Sequence, residues 1–406
     1  MVLLFRMACQ ISRSLPATSA RSPLALASGS DNEAPMRTVQ RVNRAILSVA
    51  LAGSLLPGWC GLAQARAQEQ APGAASSGGR PSHTTDAPFV VPRMWEYGAP
   101  LIAPEVRDSN PSRAQKDPSV VFHGGEWHVF MTVKLTGKSA IEYCSFRRWE
   151  EAQASPRTIL TVSDSDYYCA PQVLFFRPHK KWYLVYQVGV PGADKMWVAY
   201  STCADIADPH TWTRAMPILS GGKDDPRQVG GLDYWIICDD QRAYLFLTSL
   251  DGRMWRLWAR LEDFPGGFGH CELALQARVF EASHTYKLKG MDKYLTVIEE
   301  NGRRYYKAYL ADRLDGEWVP LADTAERPFA GWHNIRPAPG VEPWTDNISH
   351  GELVRDGCDE TLTVDPGNLR FIFQGMWDKH KSGKEYGQFQ WRIGMLTPVS
   401  GGAESK

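Results

Sequence analysis

The stretch KDPSVVFHGGEWHVF, residues 116–130, has the pattern of two apolar strands joined by a polar turn. Read alone, it predicts a β-hairpin whose aromatic side chains belong to a core. Lys116 and Asp117 place a charged pair at the start of the first strand. Since Asp before Pro often begins a turn, a solvated strand end would explain that pair. Other copies of the pattern give the pair a second explanation.

Four later segments repeat this layout of polar residue, apolar strand, polar turn and second strand with Trp, Tyr or Phe. They read APQVLFFRPHKKWYLVYQ, LDYWIICDDQRAYLFLTS, FEASHTYKLKGMDKYLTVIEE and ISHGELVRDGCDETLTVDPGNLRFIFQG. The opening polar residues of the five segments are Asp117, Gln172, Asp233, Glu281 and His350. Their spacing of roughly 50 to 70 residues holds about four strands with their turns, which is one propeller blade.

Strand patterns dominate the chain, and the best short helical candidate is residues 148–154. The repeat therefore predicts an all-β fold, a five-bladed β-propeller with a central active-site pocket. A β-sandwich or two stacked barrels would also fit the strand pattern. We expect the propeller to occupy residues 88–400 and a short tail to occupy residues 401–406.

In a propeller, the innermost strand of each blade lines the central channel, so the five opening residues should converge near the axis. They would bring three carboxylates, an amide and an imidazole to one place. Converging carboxylates raise one another's pKa values by repulsion, so one can stay protonated while another is ionised. Glycoside hydrolysis needs such a pair of carboxyl groups. The alternative is a water-filled polar axis with structural ion pairs.

Composition limits the classes of partner. The 406 residues include 45 basic and 45 acidic side chains, so the formal net charge is zero and nothing favours a nucleic-acid or anionic-membrane partner. There are 15 each of Trp, Tyr and Phe, which suits a β-rich core and also suits stacking on sugars. No nucleophile elbow, P-loop or dinucleotide fingerprint occurs in its required context, so we expect no organic cofactor.

The N-terminal region has the pattern of a secretory signal peptide that starts at Met36. A basic segment precedes the apolar run 45–56, which is too short for a confident membrane span, and small-x-small cleavage patterns follow at 63–67. Residues 1–67 are therefore predicted to be an upstream extension and a leader. We expect residues 1–35, which precede Met36, to result from a mis-chosen start codon or to form an unusually long basic region of the leader. We expect the mature protein to be extracellular or periplasmic, with no membrane attachment.

Residues 68–87 are rich in Gln, Ala, Ser, Gly and Pro, a composition typical of a flexible linker. A lipoprotein anchor at Cys60 is the alternative to secretion, but the preceding Pro57-Gly58-Trp59 lacks the small residues such an anchor requires. Six further cysteines follow the linker, and in an oxidising compartment one or more disulfides among them are possible. No C-x-x-C pair occurs, which argues against a zinc site.

With these residues in view, the chain resembles glycoside hydrolase family 62, the α-L-arabinofuranosidases, which share a five-bladed propeller with family 43. The matching pieces include KDPSVVF, APQVLFF, LDYWIICDD, DFPGGFG, FEASHTYKLKG, GRRYYKAY, ISHGELVRDG and LTVDPGNLRFIFQGM. They run in family order from about Lys116 to Thr397. The resemblance implies an inverting, monomeric enzyme that removes single arabinofuranose branches from xylan or arabinoxylan.

The resemblance also implies a role for each site residue. Asp117 matches the general base, Glu281 the general acid, and Asp233 a third carboxylate that tunes the pKa of the acid. Lys116, Gln172 and Tyr386 match residues that bind or line the substrate pocket. His350 matches a histidine near a structural Ca²⁺ on the propeller axis, although water and other oxygen atoms would have to supply most of its ligands.

Three departures from the family pattern bear on the substrate. His284 stands where the family usually has Asn, residues 227–231 replace an Asn-Gly-rich turn, and Tyr386-Gly387 replaces Tyr-Asn. These differences leave the backbone and chain-length preference open. The alternative functions are a related propeller glycosidase, such as a β-xylosidase or an arabinanase, and a non-catalytic sugar-binding propeller.

Overall fold

Five β-sheets form the part of the chain that the computed structural model describes. That part comprises residues 88–192, 195–222, 230–269 and 271–399. The predictions of a leader and a linker concern residues 1–87, and the predicted tail is 401–406, so all three lie outside the described residues. The same holds for most of the departure at 227–231.

The strands have the following bounds. In chain order they are β1 (Trp95–Tyr97), β2 (Ala114–His123), β3 (Glu126–Lys134), β4 (Ser139–Phe146), β5 (Thr158–Ile159), β6 (Tyr168–Phe176), β7 (Lys181–Gly189), β8 (Met196–Cys203), β9 (Met216–Pro217), β10 (Leu232–Cys238), β11 (Arg242–Thr248), β12 (Arg253–Arg260), β13 (Glu272–Gln276), β14 (Glu281–Leu288), β15 (Tyr294–Glu300), β16 (Tyr305–Ala311), β17 (Val319–Ala322), β18 (Ile335–Pro337), β19 (Asn347–Leu353), β20 (Thr363–Val364), β21 (Phe371–Met376) and β22 (Arg392–Pro398). Short 3₁₀ helices cover Trp149–Ala154, Arg177–His179, Leu261–Asp263, Asp378–Lys381 and Tyr386–Gln388. The first of these confirms the helical candidate at 148–154.

Each sheet is one blade of a five-bladed β-propeller, which confirms the predicted fold. The strand orders are β2-β3-β4-β5 for blade I, β6-β7-β8-β9 for blade II, β10-β11-β12-β13 for blade III, β14-β15-β16-β17 with β20 for blade IV, and β19-β21-β22-β1 with β18 for blade V. The first strand listed for each blade is its innermost one. Every residue of β10 and of β19 is buried, because blades pack on both faces of these strands.

Blade V joins the two ends of the propeller. Its strand β1 comes from the N-terminal end and pairs antiparallel with β22, the last strand of the chain. Trp95 in β1 is fully buried, and its indole Nε1 donates to the Phe329 carbonyl at 2.7 Å. Tyr97 donates from its hydroxyl to the Thr345 carbonyl at 3.0 Å. These contacts fix β1 as a structural part of the last blade.

A β-bulge interrupts the innermost strand of every blade at the same place. At each bulge one non-glycine residue has a positive φ, an unfavourable conformation for an L-residue. These residues are Asp117 (48°), Ala170 (51°), Asp233 (55°), Ala282 (54°) and His350 (26°). The bulges turn the strand ends at the axis, and three of the five bulge residues are predicted site residues.

A side chain from the second strand of the preceding blade holds most of these bulges. Gln374 accepts from the Asp117 N–H at 2.8 Å, Thr132 from Ala170 at 2.9 Å, Gln187 from Asp233 at 2.9 Å, and Glu299 from His350 at 2.8 Å. Thr248 has the equivalent position for Ala282. Each of these side chains belongs to a residue that pairs with the residue just before the bulge of its own blade, and for Thr248 that partner is Leu232. Its hydroxyl is buried and has no hydrogen-bond partner among the described residues.

The core consists mainly of aromatic and branched side chains between the blades. The largest fully buried side chains include Trp95, Trp182, Trp235 and Trp391, which agrees with the expectation that most aromatics fill the core. The cysteines at 144, 169, 203, 238, 271 and 358 are all free thiols, so no disulfide joins any of the described cysteines. Among the described residues, no helix has the length and apolar character needed to cross a bilayer.

Candidate active site

Asp117 and His350 meet at the propeller axis from neighbouring blades I and V. The His350 Nδ1 lies 3.3 Å from Asp117 Oδ1, and the Lys116 Nζ lies 3.5 Å from the same oxygen. Burial alone would raise the pKa of the Asp117 carboxyl, but the adjacent Lys116, with His350 and the Thr132 hydroxyl, lowers it below its usual value. Asp117 is therefore an ionised carboxylate, which is the state that a general base requires.

Asp233 approaches the same nitrogen of His350 as Asp117 does and also reaches the strand that carries Glu281. Its Oδ2 lies 3.5 Å from His350 Nδ1 and accepts a hydrogen bond of 3.0 Å from the Ala282 N–H. That N–H is the group which Thr248 would hold if blade III followed the pattern of the other blades. The Asp233 carboxylate thus accepts the hydrogen bond that a residue of the preceding blade's second strand accepts elsewhere. Because Ala282 follows Glu281 in the chain, this bond holds the Asp233 carboxylate near Glu281.

The pKa of Asp233 shifts in the opposite direction from that of Asp117. Burial raises it well above the usual range, and the negative charges of Glu281 and Asp117 add to the rise. The site therefore separates its carboxyl groups into one that is held ionised and one that holds a proton more strongly. This is the division that acid–base catalysis on a glycosidic bond requires.

Arg304 and Glu299 belong to the site, although neither was assigned a role from the sequence. Arg304 Nη1 contacts Glu281 Oε1, and it lies 2.6 Å from Glu299 Oε1 and 2.9 Å from the Ser349 Oγ. Glu299 is fully buried, and burial raises its pKa to about 7 although the charge of Arg304 opposes that rise. A signal for Glu299 existed, because each repeat has a polar residue among the last three residues of its second strand. Arg304 lies in a turn and had no such signal.

Lys116 and Tyr386 form one wall of the site. The Lys116 Nζ lies 5.1 Å from the centre of the Tyr386 ring, within the range of a cation–π contact. Burial lowers the pKa of Lys116, but Asp117 outweighs this effect and leaves the pKa raised, so the ammonium is charged. Tyr386 exposes 38% of its surface, which makes it the most accessible of the predicted site residues. The structure thus places Lys116 beside Asp117 and Tyr386 beside Lys116.

Gln172 does not lie with the other predicted site residues. It is two residues beyond the bulge of blade II, at the position equivalent to Ser119, and it is fully buried. Its Nε2 donates to the Ile236 carbonyl and its Oε1 accepts from the Ile236 N–H, each at 2.7 Å. Both ends of the amide are therefore occupied by the inner strand of blade III. The residue of blade II that takes the bulge position is Ala170.

His284, the departure from the family pattern, is a packed residue between blades. Its ring stacks on Trp235 at 4.1 Å between centroids, and its Nδ1 lies 2.8 Å from the Gly351 carbonyl. Burial lowers its pKa well below the usual range, so the imidazole is neutral. Its ring lies 5.2 Å from that of His350, so it packs directly against a residue of the site.

His350 is the residue for which a Ca²⁺ contact was expected. Within the described part of the chain, no group of three or more His, Cys, Asp and Glu side chains is arranged to hold a metal ion. Since Ca²⁺ takes six to eight oxygen ligands, these side chains do not form a complete calcium site by themselves. The calcium ion expected near His350 stays a prediction.

The side chains of this arrangement differ in their exposure to solvent. The Lys116, Glu281 and Arg304 side chains keep between 12% and 15% of their surface exposed, whereas the carboxylates of Asp117 and Asp233 keep 6% or less. A sugar ring in contact with Glu281 would thus lie above the buried carboxylates of Asp117 and Asp233, with its other atoms toward the solvent. The site can bind a small polar group and exchange protons with it on both sides.

Comparison with known proteins agrees with this chemistry. The family model described as glycosyl hydrolase family 62 matches residues 106–397. α-L-Arabinofuranosidase C of Cellvibrio japonicus (strain Ueda107) is 37% identical over 326 residues, which are 78% of this chain and 48% of that protein. The chain thus spans about half the length of this curated relative.

Two solved structures have the same fold over most of the described residues. The catalytic domain of an α-L-arabinofuranosidase from Coprinopsis cinerea is 34% identical, with a TM-score of 0.69, and the match covers 76% of this chain and 97% of that one. A family 62 hydrolase solved in complex with xylotriose is 33% identical, with a TM-score of 0.68, and the match covers 75% of this chain and 96% of that one.

Proposed function

The chain belongs to glycosyl hydrolase family 62, and on this basis we propose that it is an exo-acting α-L-arabinofuranosidase. It removes single arabinofuranosyl side chains from arabinoxylan or xylan, with inversion at the anomeric carbon. The observation that carries this proposal is the set of carboxylates at the axis. Asp117 is held ionised by its neighbours, while Asp233 has a raised pKa and adjoins Glu281.

Each carboxyl group has one task in the proposed reaction. Asp117 accepts a proton from a water molecule as that water attacks the anomeric carbon, and Glu281 gives its proton to the glycosidic oxygen that leaves. The glycosidic bond breaks as the new C–O bond forms on the opposite face of the sugar. Solvent then takes the proton from Asp117 and returns one to Glu281.

The neighbouring residues prepare these two groups. Lys116 beside Asp117 favours the ionised base, and its ammonium can also donate to a sugar hydroxyl. Asp233, whose pKa is raised by burial and by the charges of Glu281 and Asp117, lies beside Glu281 and tunes the acid in the proposed reaction. Tyr386 is exposed at the rim, where its ring can pack against a sugar face.

The xylan part of the proposal is supported by the solved relatives. One family 62 hydrolase was solved in complex with xylotriose, a fragment of a xylan backbone. Arabinose-decorated xylan is the polysaccharide that combines this backbone with the branch an arabinofuranosidase removes. A β-xylosidase or an arabinanase would use the same carboxylates on a different glycan.

Product analysis tests the activity and the stereochemistry together. The purified protein is incubated with arabinoxylan, linear arabinan and xylobiose, and the first products are followed by proton NMR. We expect free arabinose from arabinoxylan, appearing first as the inverted anomer. Release of arabinose from linear arabinan alone would overturn the proposed substrate, and a retained anomer would overturn the mechanism. Absence of hydrolysis on all three would favour a sugar-binding propeller.

Three further properties belong to the same proposal. We propose secretion after removal of the leader, a monomeric state, and one structural Ca²⁺ held near His350 largely through water. N-terminal sequencing of the precursor and of the exported protein tests the start at Met36 and the cleavage. Light scattering tests the monomer, and elemental analysis of dialysed protein tests the calcium.

A further inference from the structure

We propose that Glu299 is a positioning residue that holds the Arg304 guanidinium against Glu281 and so fixes the acid for proton transfer. This inference rests on the proposed function. Glu299 lies directly opposite Glu281 in the antiparallel pair β14–β15. Like charges opposite one another across two strands destabilise a sheet. The pair is tolerated because the Arg304 Nη1 lies between the two carboxylates and donates to both.

The charge of Glu299 is specific to blade IV. The residues at the equivalent position of the other blades are Thr132, Gln187, Thr248 and Gln374, which are all neutral. Two of them, Gln187 and Gln374, hold the next bulge N–H through an amide oxygen at 2.9 and 2.8 Å. An amide is therefore sufficient for the hydrogen bond that Glu299 accepts from the His350 N–H. The negative charge of Glu299 must serve another purpose.

The hydrogen bonds around Ser349 show that Glu299 is an acceptor. The Ser349 Oγ accepts from the Arg304 Nη1 at 2.9 Å and from the Gln374 Nε2 at 3.1 Å. A hydroxyl has one proton to donate, and Ser349 directs it to the Glu299 carboxylate at 3.0–3.1 Å. Glu299 thus accepts from Ser349, from Arg304 and from the His350 N–H. Three donors on one buried carboxyl group favour its ionised form.

The contact with Arg304 also selects which oxygen of Glu281 acts as the acid. Arg304 donates to Glu281 Oε1, and a guanidinium cannot accept a proton in return. The proton that Glu281 gives to the leaving oxygen is therefore on Oε2. Arg304 is itself held in place, with its guanidinium carbon 5.1 Å from the centre of the Phe280 ring and 12% of its side chain exposed. Glu299 is the buried anchor of this contact.

Comparison of two substrates separates positioning of the acid from a merely structural role. The xylose hydroxyl of arabinoxylan leaves only with a proton, whereas para-nitrophenolate leaves without one. For Glu299→Gln we expect kcat on arabinoxylan to fall about 10- to 100-fold, with KM changed less than about 2-fold. On para-nitrophenyl α-L-arabinofuranoside we expect a loss below about 3-fold.

A double variant tests whether Glu299 acts through Arg304. Arg304→Met should lower kcat on arabinoxylan selectively, and Glu299→Gln with Arg304→Met should be no worse than the more damaging single variant. Thr248→Val is the matched control, because it changes the equivalent residue of blade III, and it should leave both rates unchanged. Equal losses on both substrates, or additive losses in the double variant, would overturn the proposal.

A crystal structure of the Glu299→Gln variant decides the question without any substrate. We expect the Arg304 guanidinium to leave Glu281 while the His350 N–H stays bonded to the new amide oxygen. Retention of the Arg304–Glu281 contact in that crystal structure would refute the positioning role. Failure of the wild-type protein to hydrolyse arabinoxylan would instead refute the proposed function, and the crystal structure would still decide the role of Glu299.

Discussion

At the scale of single residues, the site separates the two aspartates Asp117 and Asp233 by their immediate neighbours. Both carboxyl groups lie within 3.5 Å of the His350 imidazole, but Asp117 also has the Lys116 ammonium at 3.5 Å, whereas Asp233 has the acidic groups of Glu281 and Asp117 near it. The difference in pKa direction follows from these contacts. It also gives opposite expectations for substitutions at positions that look chemically alike in the sequence.

Substitution of the acid or the base should abolish catalysis and keep the fold. Glu281→Gln removes the proton donor, and Asp117→Asn removes the group that activates water. Each should lower kcat on arabinoxylan by about 10²- to 10⁴-fold, because each removes one general acid or base. Circular dichroism serves as the control for folding, and an unchanged rate in either variant would contradict the assigned role.

Asp233→Asn should stabilise the protein at neutral pH while lowering its activity. The unfolded carboxyl group loses its proton near pH 3.9, and the native one loses it at a higher pH because its pKa is raised. Between these values the native state binds more protons, so wild-type stability falls as the pH rises. Asn has no such loss and can still accept from the Ala282 N–H.

Thermal unfolding of Asp233→Asn and wild type at several pH values measures this effect. We expect no advantage for the variant near pH 3.5 and an advantage of about 1 kcal/mol or more at pH 7. A constant difference across this pH range would show that the native pKa of Asp233 is not raised.

At the scale of elements, the bulge in each inner strand is the unit that builds the site. Its positive φ is costly for residues other than glycine, and a side chain from the preceding blade compensates by binding the bulge N–H. Blade III is the exception, since Asp233 itself binds the Ala282 N–H and leaves the Thr248 hydroxyl without a partner among the described residues. The exception occurs where the carboxylates meet.

Two matched substitutions test this account of the bulges. Thr132→Val leaves the buried Ala170 N–H without a partner and should cost about 1–3 kcal/mol of unfolding free energy. Thr248→Val removes a hydroxyl that binds no described residue and should change stability by less than about 0.5 kcal/mol. Urea unfolding measures both. Equal costs would mean that the Thr248 hydroxyl has a partner of comparable strength.

The repeat in the sequence was sufficient to predict the blades, because alternating apolar strands and their spacing are local properties. It also led to Asp117, Asp233, Glu281 and His350. It could not assign the exact position in each blade, since a bulge adds one residue and shifts the register. Gln172 was aligned with the bulge residues for this reason, although it lies two positions beyond. Arg304 comes from a turn, where no periodic pattern exists to mark it.

At the scale of the whole molecule, the propeller is held closed by strand pairing between its two ends. Strand β1 contributes few residues, but Trp95 is fully buried in blade V and bonded to the Phe329 carbonyl. Because the Asp117 N–H donates to the Oε1 of Gln374, which belongs to blade V, closure and catalytic geometry are coupled. Loss of closure should therefore reduce activity as well as stability.

Trp95→Ala should destabilise the fold by about 3–5 kcal/mol, the usual cost of removing a large buried aromatic side chain. Activity on arabinoxylan at elevated temperature should fall in parallel with the melting temperature. Val90→Ala is the control on the same N-terminal segment, since Val90 is 73% exposed and should have little effect. A stable and active Trp95→Ala variant would show that β1 does not close the propeller.

The cysteines give a second prediction for the whole molecule. All six described cysteines are free thiols, so reductant should leave the melting temperature unchanged. Unfolding a chain that begins at Pro88 without reductant should expose six thiols to a thiol reagent. A lower thiol count, or a melting temperature that drops with reductant, would indicate a disulfide formed on export.

The closure of blade V also sets the order in which this protein can mature. During synthesis β1 leaves the ribosome about 295 residues before β22, the strand with which it pairs. At about 5–20 residues per second, β1 stays unpaired for roughly 15 to 60 seconds. The catalytic centre is incomplete for most of that interval, because His350 and Gln374 follow β1 by about 250 and 280 residues. An unfinished ring is therefore neither closed nor active.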